Sequence, residues 1–363
     1  MVTDPFSPMT LTRGPAMKNR FMLAPLTNMQ SHADGTLSDE EIHWLERRAE
    51  GGFGLTMTAA AHVLPAGQAF KGQLGVWSDD HLPGLKRLAD TIRAKGSLSS
   101  VQLHHGGWRA MPEFTGQQSM GPFAHADTNS RAMTTAEVEE AVEAFIAAAV
   151  RCEQAGFDGV ELHGAHSYLI CQFLDTGNQR DDGWGGSFAN RRKFLDTIIA
   201  GIRERTGPQF QLGVRVSPER HGMATVEARE LVESLMLSGQ VDYVDMSLWS
   251  CFKTPVEEEF AARPLIEWFT DLKRGNCRLG VAGKIMNAAT VRDCLASGAD
   301  FVLLGRAAII HHDFPKAMAA DPDFASLPNP VSRAHLLGEG LSPGFVDYMA
   351  SWAGFVAEEE VTA

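Results

Sequence analysis

A chain of 363 residues with 44% hydrophobic and 21% charged side chains has the composition of a soluble globular protein, and no apolar run reaches the ~18 residues that a membrane span requires. Acidic residues outnumber basic ones 45 to 32, a formal charge of −13. That excludes broad electrostatic binding to nucleic acid or anionic lipid, and leaves any phosphate to local backbone donors and a few placed arginines. The five cysteines include no Cys-x-x-Cys pair, and the opening MVTDPFSPMT lacks the positive start and apolar core of a signal peptide. Reduced thiols and a cytoplasmic location are the expectation.

Residues 1–19, with three prolines, read as a capping segment. A first buried strand, Arg20–Ala24, stops at Pro25. Ser38 with Glu41 predicts a capping box for a helix to about Glu50. A strand Gly54–Val63 and a helix Asp80–Lys95 follow, then a strand Leu98–His105. The connection Gly106–Met133 is long and rich in Gly, Pro, Ser and Thr, as lids and binding loops are. A helix Thr135–Gln154 precedes the strand Gly159–Leu162. A second long segment, Asp175–Ser187, leads into a helix Phe188–Arg205. Next come a strand Leu212–Val216, a helix Val226–Leu237, a strand Tyr243–Leu248 and a helix near Arg263–Arg274. The last units are a strand Leu279–Ala282, a helix Ala288–Ala296, a strand Phe301–Leu304 and a short helix from about His312. An apolar helix near Phe345–Val356 falls in the tail.

Eight strand–helix pairs in alternation, with strands that are short continuous apolar runs, predict a parallel sheet covered on both faces. The expected fold class is α/β: a single (β/α)8 TIM barrel over about 20–320 within one domain spanning 1–363. The N-terminal segment caps it, and an extension over about 327–363 follows. The rival doubly wound sheet usually carries a Gly-x-Gly-x-x-Gly turn after its first strand, and none is present here.

Active groups in such barrels lie at the C-terminal strand ends. Gly283, then Gly305 with Arg306, end the last two strands, where backbone N–H groups and an arginine suit a phosphate; the alternative for either glycine is a tight turn. Arg215 and Gln102 sit on interior strands. Arg215 reads either as half of a buried ion pair or as a guanidinium against a ring that becomes negative on reduction. Gln102 reads as a satisfied core amide or as a partner for a pyrimidine-like edge. Thr27 is able to hydrogen-bond a ring carbonyl. After the fourth strand, DGVELHGAHSYL supplies His163, His166 and Tyr168. Together they would grip an oxygen and deliver a proton beside it. Two core histidines, or a metal site completed by Glu161 or His105, are the alternatives. No His-Glu-x-x-His pattern supports a metal, and none is expected.

The segments KNRFMLAPLTN, GVWSDDH, VQLHHGG, GVELHGAHSYLICQFL, NQRDDGWGGSFANRRKF, LGVRVSP and FVLLGRA, in this order over about residues 18–310, resemble the old yellow enzyme family of FMN-dependent ene-reductases. The resemblance is nearest to the bacterial xenobiotic-reductase branch. It implies FMN across the barrel mouth, with Pro25, Leu26, Thr27 and Ala60 lining its ring. It implies that Gln102 bonds the pyrimidine edge, that Arg215 lies by N1 and the C2 carbonyl, and that Gly283, Gly305 and Arg306 hold the phosphate. His163 and His166 would bind the substrate's carbonyl or nitro oxygen, with Met29 at the substrate site, and Tyr168 would donate the proton. NADPH or NADH would be the co-substrate, and an activated alkene (enone, nitroalkene or maleimide) the small-molecule partner, with no nucleic acid or membrane involved. A homodimer or homotetramer is compatible with the resemblance. An FMN-dependent dehydrogenase or demethylase on the same barrel is the alternative activity. Thr27 stands where that branch often has Cys, Met29 where it often has an aromatic residue, and Trp184 where Tyr is usual. The iron–sulfur cysteines and added flavin domain of the dienoyl-CoA reductases are not expected.

Overall fold

Eight apolar runs form eight parallel strands: β1 Phe21–Leu23, β2 Leu55–His62, β3 Leu98–His104, β4 Gly159–Gly164, β5 Gln211–Val216, β6 Tyr243–Ser247, β7 Arg278–Ala282 and β8 Phe301–Leu304. They come from a computed structural model that describes residues 3–358; the outermost positions of the expected N-terminal segment and C-terminal extension lie outside the described residues. Each strand pairs with its neighbours in sequence, and β8 closes on β1 through Leu23 opposite Leu304, so the expected (β/α)8 barrel is closed. Registers such as Gln102 opposite Glu161, His163 opposite Arg215 and Arg215 opposite Asp245 bring polar side chains of adjacent strands side by side.

The barrel interior holds Met22, Leu55, Met57, Tyr243, Phe301 and Leu303. Large rings there face glycines: a Cβ on Gly213 would run into Tyr243, and one on Gly280 into Phe301. The N-terminal segment closes the lower end. Met9 and Met17 exchange backbone hydrogen bonds of 3.0 and 2.9 Å, and Gln211 at the start of β5 donates to the carbonyls of Arg13 and Pro15. With that end plugged, the opposite mouth is the one open to a ligand.

Helices cover the outside because their apolar residues recur at helical spacing. Thr135–Gln154 buries Val138, Ala141, Val142, Phe145, Ala148, Ala149 and Cys152 against the barrel. The capping box lies here, at Thr134 and Glu137, whose side chains each reach the other's backbone N–H. The box expected at Ser38 and Glu41 forms only by half. Ser38 Oγ accepts from Glu41 N at 3.1 Å, but the Glu41 carboxylate is buried and accepts from Asn28 and Ser31 instead, tying the loop after β1 to this helix.

The helix expected near Arg263–Arg274 is a single turn, Glu267–Thr270. Arg229 takes the Trp268 carbonyl and Arg274 Nη2 takes that of Thr270, acceptors that a longer helix would have used. In the tail, Ser342 caps a helix over Pro343–Ala350, shorter than the expected Phe345–Val356. It stops because Phe355 and Ala357 are drawn into backbone bonds with Val331. The long connection after β3 carries the turn Gly107–Arg109, a short helix Pro112–Thr115 and two paired two-residue strands. No helix among the described residues is long and apolar enough to cross a membrane.

Candidate active site

Backbone strain concentrates at the barrel mouth. Met29, His166, Ser167, Arg220, Trp249 and Lys284, in the loops after β1, β4, β5, β6 and β7, have φ of 51–65° although none is glycine. Such conformations persist where surrounding structure enforces them, and they cluster at ligand sites. Three of these residues, His166, Trp249 and Lys284, line a cavity of about 210 Å³, bounded on the β7–β8–β1 side by Gly283, Lys284, Gly305, Arg306, Pro25 and Leu26, and on the other side by His166, Arg215, Ser247 and Trp249. Six residues singled out for a cofactor therefore meet at one opening with His166. Gly283 is required where it stands: a Cβ there would come within 2.9 Å of the Cys251 backbone nitrogen. At Gly305 the nearest atom to such a Cβ is Leu26 Cδ2 at 3.6 Å.

The two histidines converge. His163 Nε2 and His166 Nδ1 lie 3.3 Å apart, and the His163 ring centroid is 4.9 Å from that of Tyr168. Their chain positions explain this: His163 ends β4 as an inward residue, and the left-handed turn at His166–Ser167 folds the second imidazole back over the first. Both imidazoles are held well below the ordinary histidine range, by burial first; His104 and His166 add to the effect on His163, and Arg215 to that on His166. They are neutral at neutral pH, so each carries one N–H.

Hydrogen bonding indicates which nitrogen bears it on His166. Arg215 Nη2 donates to Ser247 Oγ at 3.3 Å, and Ser247 Oγ lies 2.8 Å from His166 Nε2. Among the described residues the serine proton has that one acceptor, which leaves the His166 proton on Nδ1, facing His163. An oxygen placed at the junction could accept from His166 Nδ1 and, with the His163 proton moved from Nδ1 to Nε2, from both rings in place of the bond they make to each other.

Arg215 forms the buried ion pair of the first reading. Its Nε is 2.9 Å from the fully buried Asp245, while its Nη2 reaches the rim at Ser247. The ion pair is not aligned as a hydrogen bond, and neither Asp245 oxygen has another donor among the described residues. Burial pushes the Asp245 carboxyl up, against the pull of Arg215. Glu161 is also pushed up, by burial and then by Asp245, so one guanidinium faces two buried carboxyls that resist ionising together. Gln102 donates Nε2 to Glu161 Oε1 at 2.8 Å, which makes it part of this interior layer.

Thr27, Ala60, Met29, Gln102, His163 and Tyr168 do not line the cavity. Ala60 pairs in register with Gln102, and Met29 is 37% exposed on the loop after β1. The two extra metal ligands considered for the histidines do not join them: Glu161 bonds Gln102, and His105 Nδ1 accepts from Gly107 N. Several contributors had no role assigned from the sequence. Ser247 orients His166. Gln73 donates to Ala60 O and to His104 Nδ1, and the His104 ring sits edge-on to Tyr168 at 4.2 Å. Lys284 and Trp249 border the cavity.

Residues 4–321 match the family described as NADH:flavin oxidoreductase / NADH oxidase. The chain belongs to that family. The flavin oxidoreductase is 35% identical over 317 residues to a probable NADH-dependent flavin oxidoreductase, YqiG, of Bacillus subtilis (strain 168), covering 84% of this chain and 85% of the relative. It is 33% identical to an NADPH dehydrogenase of Geobacillus sp. (strain WCH70), covering 88% and 95%. Among solved structures, morphinone reductase superposes with a TM-score of 0.79 at 25% identity, covering 96% of each chain. The expected resemblance and the barrel are thereby borne out, with FMN as cofactor and NAD(P)H as electron donor.

The residues present fit FMN. Lys284 and Arg306 border the cavity without a carboxylate partner among the described residues, as cations awaiting a phosphate would. Pro25 and Leu26 offer an apolar edge for a ring, and Arg215 brings a positive charge to the opposite side.

Proposed function

We propose that this flavin oxidoreductase is an ene-reductase that reduces activated alkenes (enones, nitroalkenes, maleimides) with electrons from NAD(P)H. The observation that carries the reading is the convergence of His163 Nε2 and His166 Nδ1, 3.3 Å apart, beside Tyr168, with His166 lining the cavity. Bound FMN supplies the redox chemistry, accepting a hydride from NAD(P)H and passing one to the β carbon of the alkene.

The protein's own residues do the rest. His163 and His166 each donate a hydrogen bond to the carbonyl or nitro oxygen, drawing charge off the alkene as an oxyanion site does. Because both imidazoles are neutral, they polarise the oxygen without protonating it. Tyr168 holds a phenolic proton for the α carbon. Arg215 would set a fixed positive charge beside a ring that becomes negative on reduction, and Gly283, Gly305 and Arg306 would hold the phosphate. Pro25 and Leu26 would border the ring; the resemblance adds Thr27, Ala60 and Gln102 to the ring and Met29 to the substrate, although none of these four lines the cavity.

The test separates the two half-reactions. In Tyr168→Phe, alkene reduction should slow by about 100-fold, within the range for removing a positioned acid, while reduction of the flavin by NAD(P)H stays within a few-fold of the parent. Equal slowing of both steps would remove Tyr168 from the proton-donor role.

A further inference from the structure

Arg109 is a rim residue that the roles above leave unassigned. It ends the turn Gly107–Arg109 in the long connection after β3. That turn is held rigidly by Gln172, a buried amide from the segment after Tyr168. Gln172 Oε1 accepts from Trp108 N at 3.1 Å, and its Nε2 donates to Gly106 O at 3.1 Å and Ser167 O at 2.7 Å. A Cβ on Gly107 would run into the same amide. The clamp joins the β3 loop to the histidine turn and fixes where Arg109 points. Its Nη1 donates to the His166 carbonyl at 2.6 Å, and its guanidinium carbon lies 4.5 Å from the centroid of the Tyr168 ring.

Among the described residues no carboxylate pairs with Arg109, which has one backbone acceptor and one aromatic face for its five N–H donors. Two further arginines stand at the same mouth of a chain of net charge −13: Arg215 is paired with Asp245, and Arg220 shares the single carboxylate of Glu219 with Lys253. A planar fork of unused donors beside the proton donor matches a planar anion.

We infer that Arg109 is a specificity-determining residue that favours alkenes carrying a carboxylate next to the reacting double bond. The inference rests on the ene-reductase reading. A substrate gripped by His163 and His166 and protonated by Tyr168 has its α carbon beside the ring over which Arg109 lies, so a carboxylate one or two bonds away is within reach. The pyrophosphate of a nicotinamide co-substrate lies many bonds from its reacting ring.

The test uses the FMN-loaded enzyme and a matched pair of probes, 4-oxo-2-pentenoate and its methyl ester, at fixed ionic strength. The acid-to-ester ratio of kcat/KM is compared between the parent, Arg109→Met and Arg109→Lys, so that the probes' intrinsic reactivities cancel. The ratio should fall about tenfold in Arg109→Met, the low end for a hydrogen bond to a charged group, and Arg109→Lys should keep most of it. An unchanged ratio in Arg109→Met, alone or with a raised KM for NAD(P)H, overturns the role of Arg109, as does a Lys variant that loses the ratio as fully as Met. A parent enzyme that NAD(P)H bleaches but that reduces neither probe sinks the ene-reductase reading itself and this inference with it.

Discussion

Ser247 Oγ lies 2.8 Å from His166 Nε2. The serine in turn accepts from Arg215, so β5 and β6 together set the proton on the His166 nitrogen that faces His163. Ser247→Ala removes this control and lets the wrong tautomer form. Alkene reduction should fall about tenfold, one neutral hydrogen bond's worth, with the loss in the oxidative half-reaction. Ser247→Thr keeps the hydroxyl and should retain most of the activity. Single-turnover oxidation of pre-reduced enzyme by an enone measures both; equal activity in all three proteins would deny Ser247 this role.

Arg306 has no carboxylate partner among the described residues and borders the cavity between β8 and β1. Arg306→Ala should weaken FMN binding about tenfold or more, as expected for a lost charge-assisted bond, while leaving riboflavin binding nearly unchanged. Fluorescence titration of the apoprotein with each flavin distinguishes the two. Equal loss for FMN and riboflavin would place the phosphate elsewhere.

Buried histidines govern the acid side of the stability profile. Burial pushes His62 down to about 4 and His105 to about 3, and it lowers His104, His163 and His166 as well. The unfolded chain titrates near the ordinary imidazole value of about 6.5. Between about 6.5 and 4 it therefore binds protons that the folded protein refuses, and stability falls as pH drops through that window. Glu161 and Asp245, both raised by burial, act in the opposite sense: folded they keep protons that the unfolded chain has released, so they lose stability as pH rises. With His221 and His311 also lowered and Glu41 also raised, seven histidines outnumber three carboxyls. Melting temperature should fall from pH 6.5 to 5, with net proton uptake on unfolding, and His62→Gln should flatten the slope. A melting temperature that rises on acidification contradicts the argument.

Arg48 carries the link between the first helix and the β8 end of the mouth. Wholly buried, it donates Nε and Nη2 to Ala308 O at 3.1 Å and Nη1 to the carbonyls of Trp44 and Glu339, with its guanidinium 3.2 Å from the Trp44 ring centroid. Arg48→Met removes this donor from the Ala308 and Glu339 carbonyls. It should cost about 3 kcal/mol of stability, in the range for breaking a buried network. Because Ala308 lies in the short helix begun by Arg306, FMN should also dissociate faster. Urea unfolding and flavin release check the two effects.

What the sequence made readable follows from how each signal arises. The strands were legible because a parallel sheet buried on both faces leaves unbroken apolar runs, and the barrel because eight such runs alternate with helices. His163, His166 and Tyr168 stood out because ionisable and phenolic groups rarely crowd a strand end. The Ser38 box misled because Glu41 spends its carboxylate on Asn28 and Ser31, a tertiary choice that spacing does not reveal. Ser247 was hidden because a serine ending a strand is ordinary. Asp245 and Gln172 did leave a trace: one is a carboxylate inside the strand YVDMS, the other a lone amide inside the apolar helix LICQFL. Arg109 gave none, since its meaning lies in a fold-back across Tyr168 that only the packed loop shows.

The central claim is that FMN held at this barrel mouth moves electrons from NAD(P)H to an activated alkene. Its most direct test is anaerobic spectroscopy of the purified, FMN-loaded protein, with one equivalent of NADPH or NADH followed by 2-cyclohexenone. The flavin absorbance near the visible maximum should bleach with the nucleotide and return with the enone, yielding cyclohexanone in equal amount. A flavin that bleaches but stays reduced when offered enones, nitroalkenes and maleimides would contradict it.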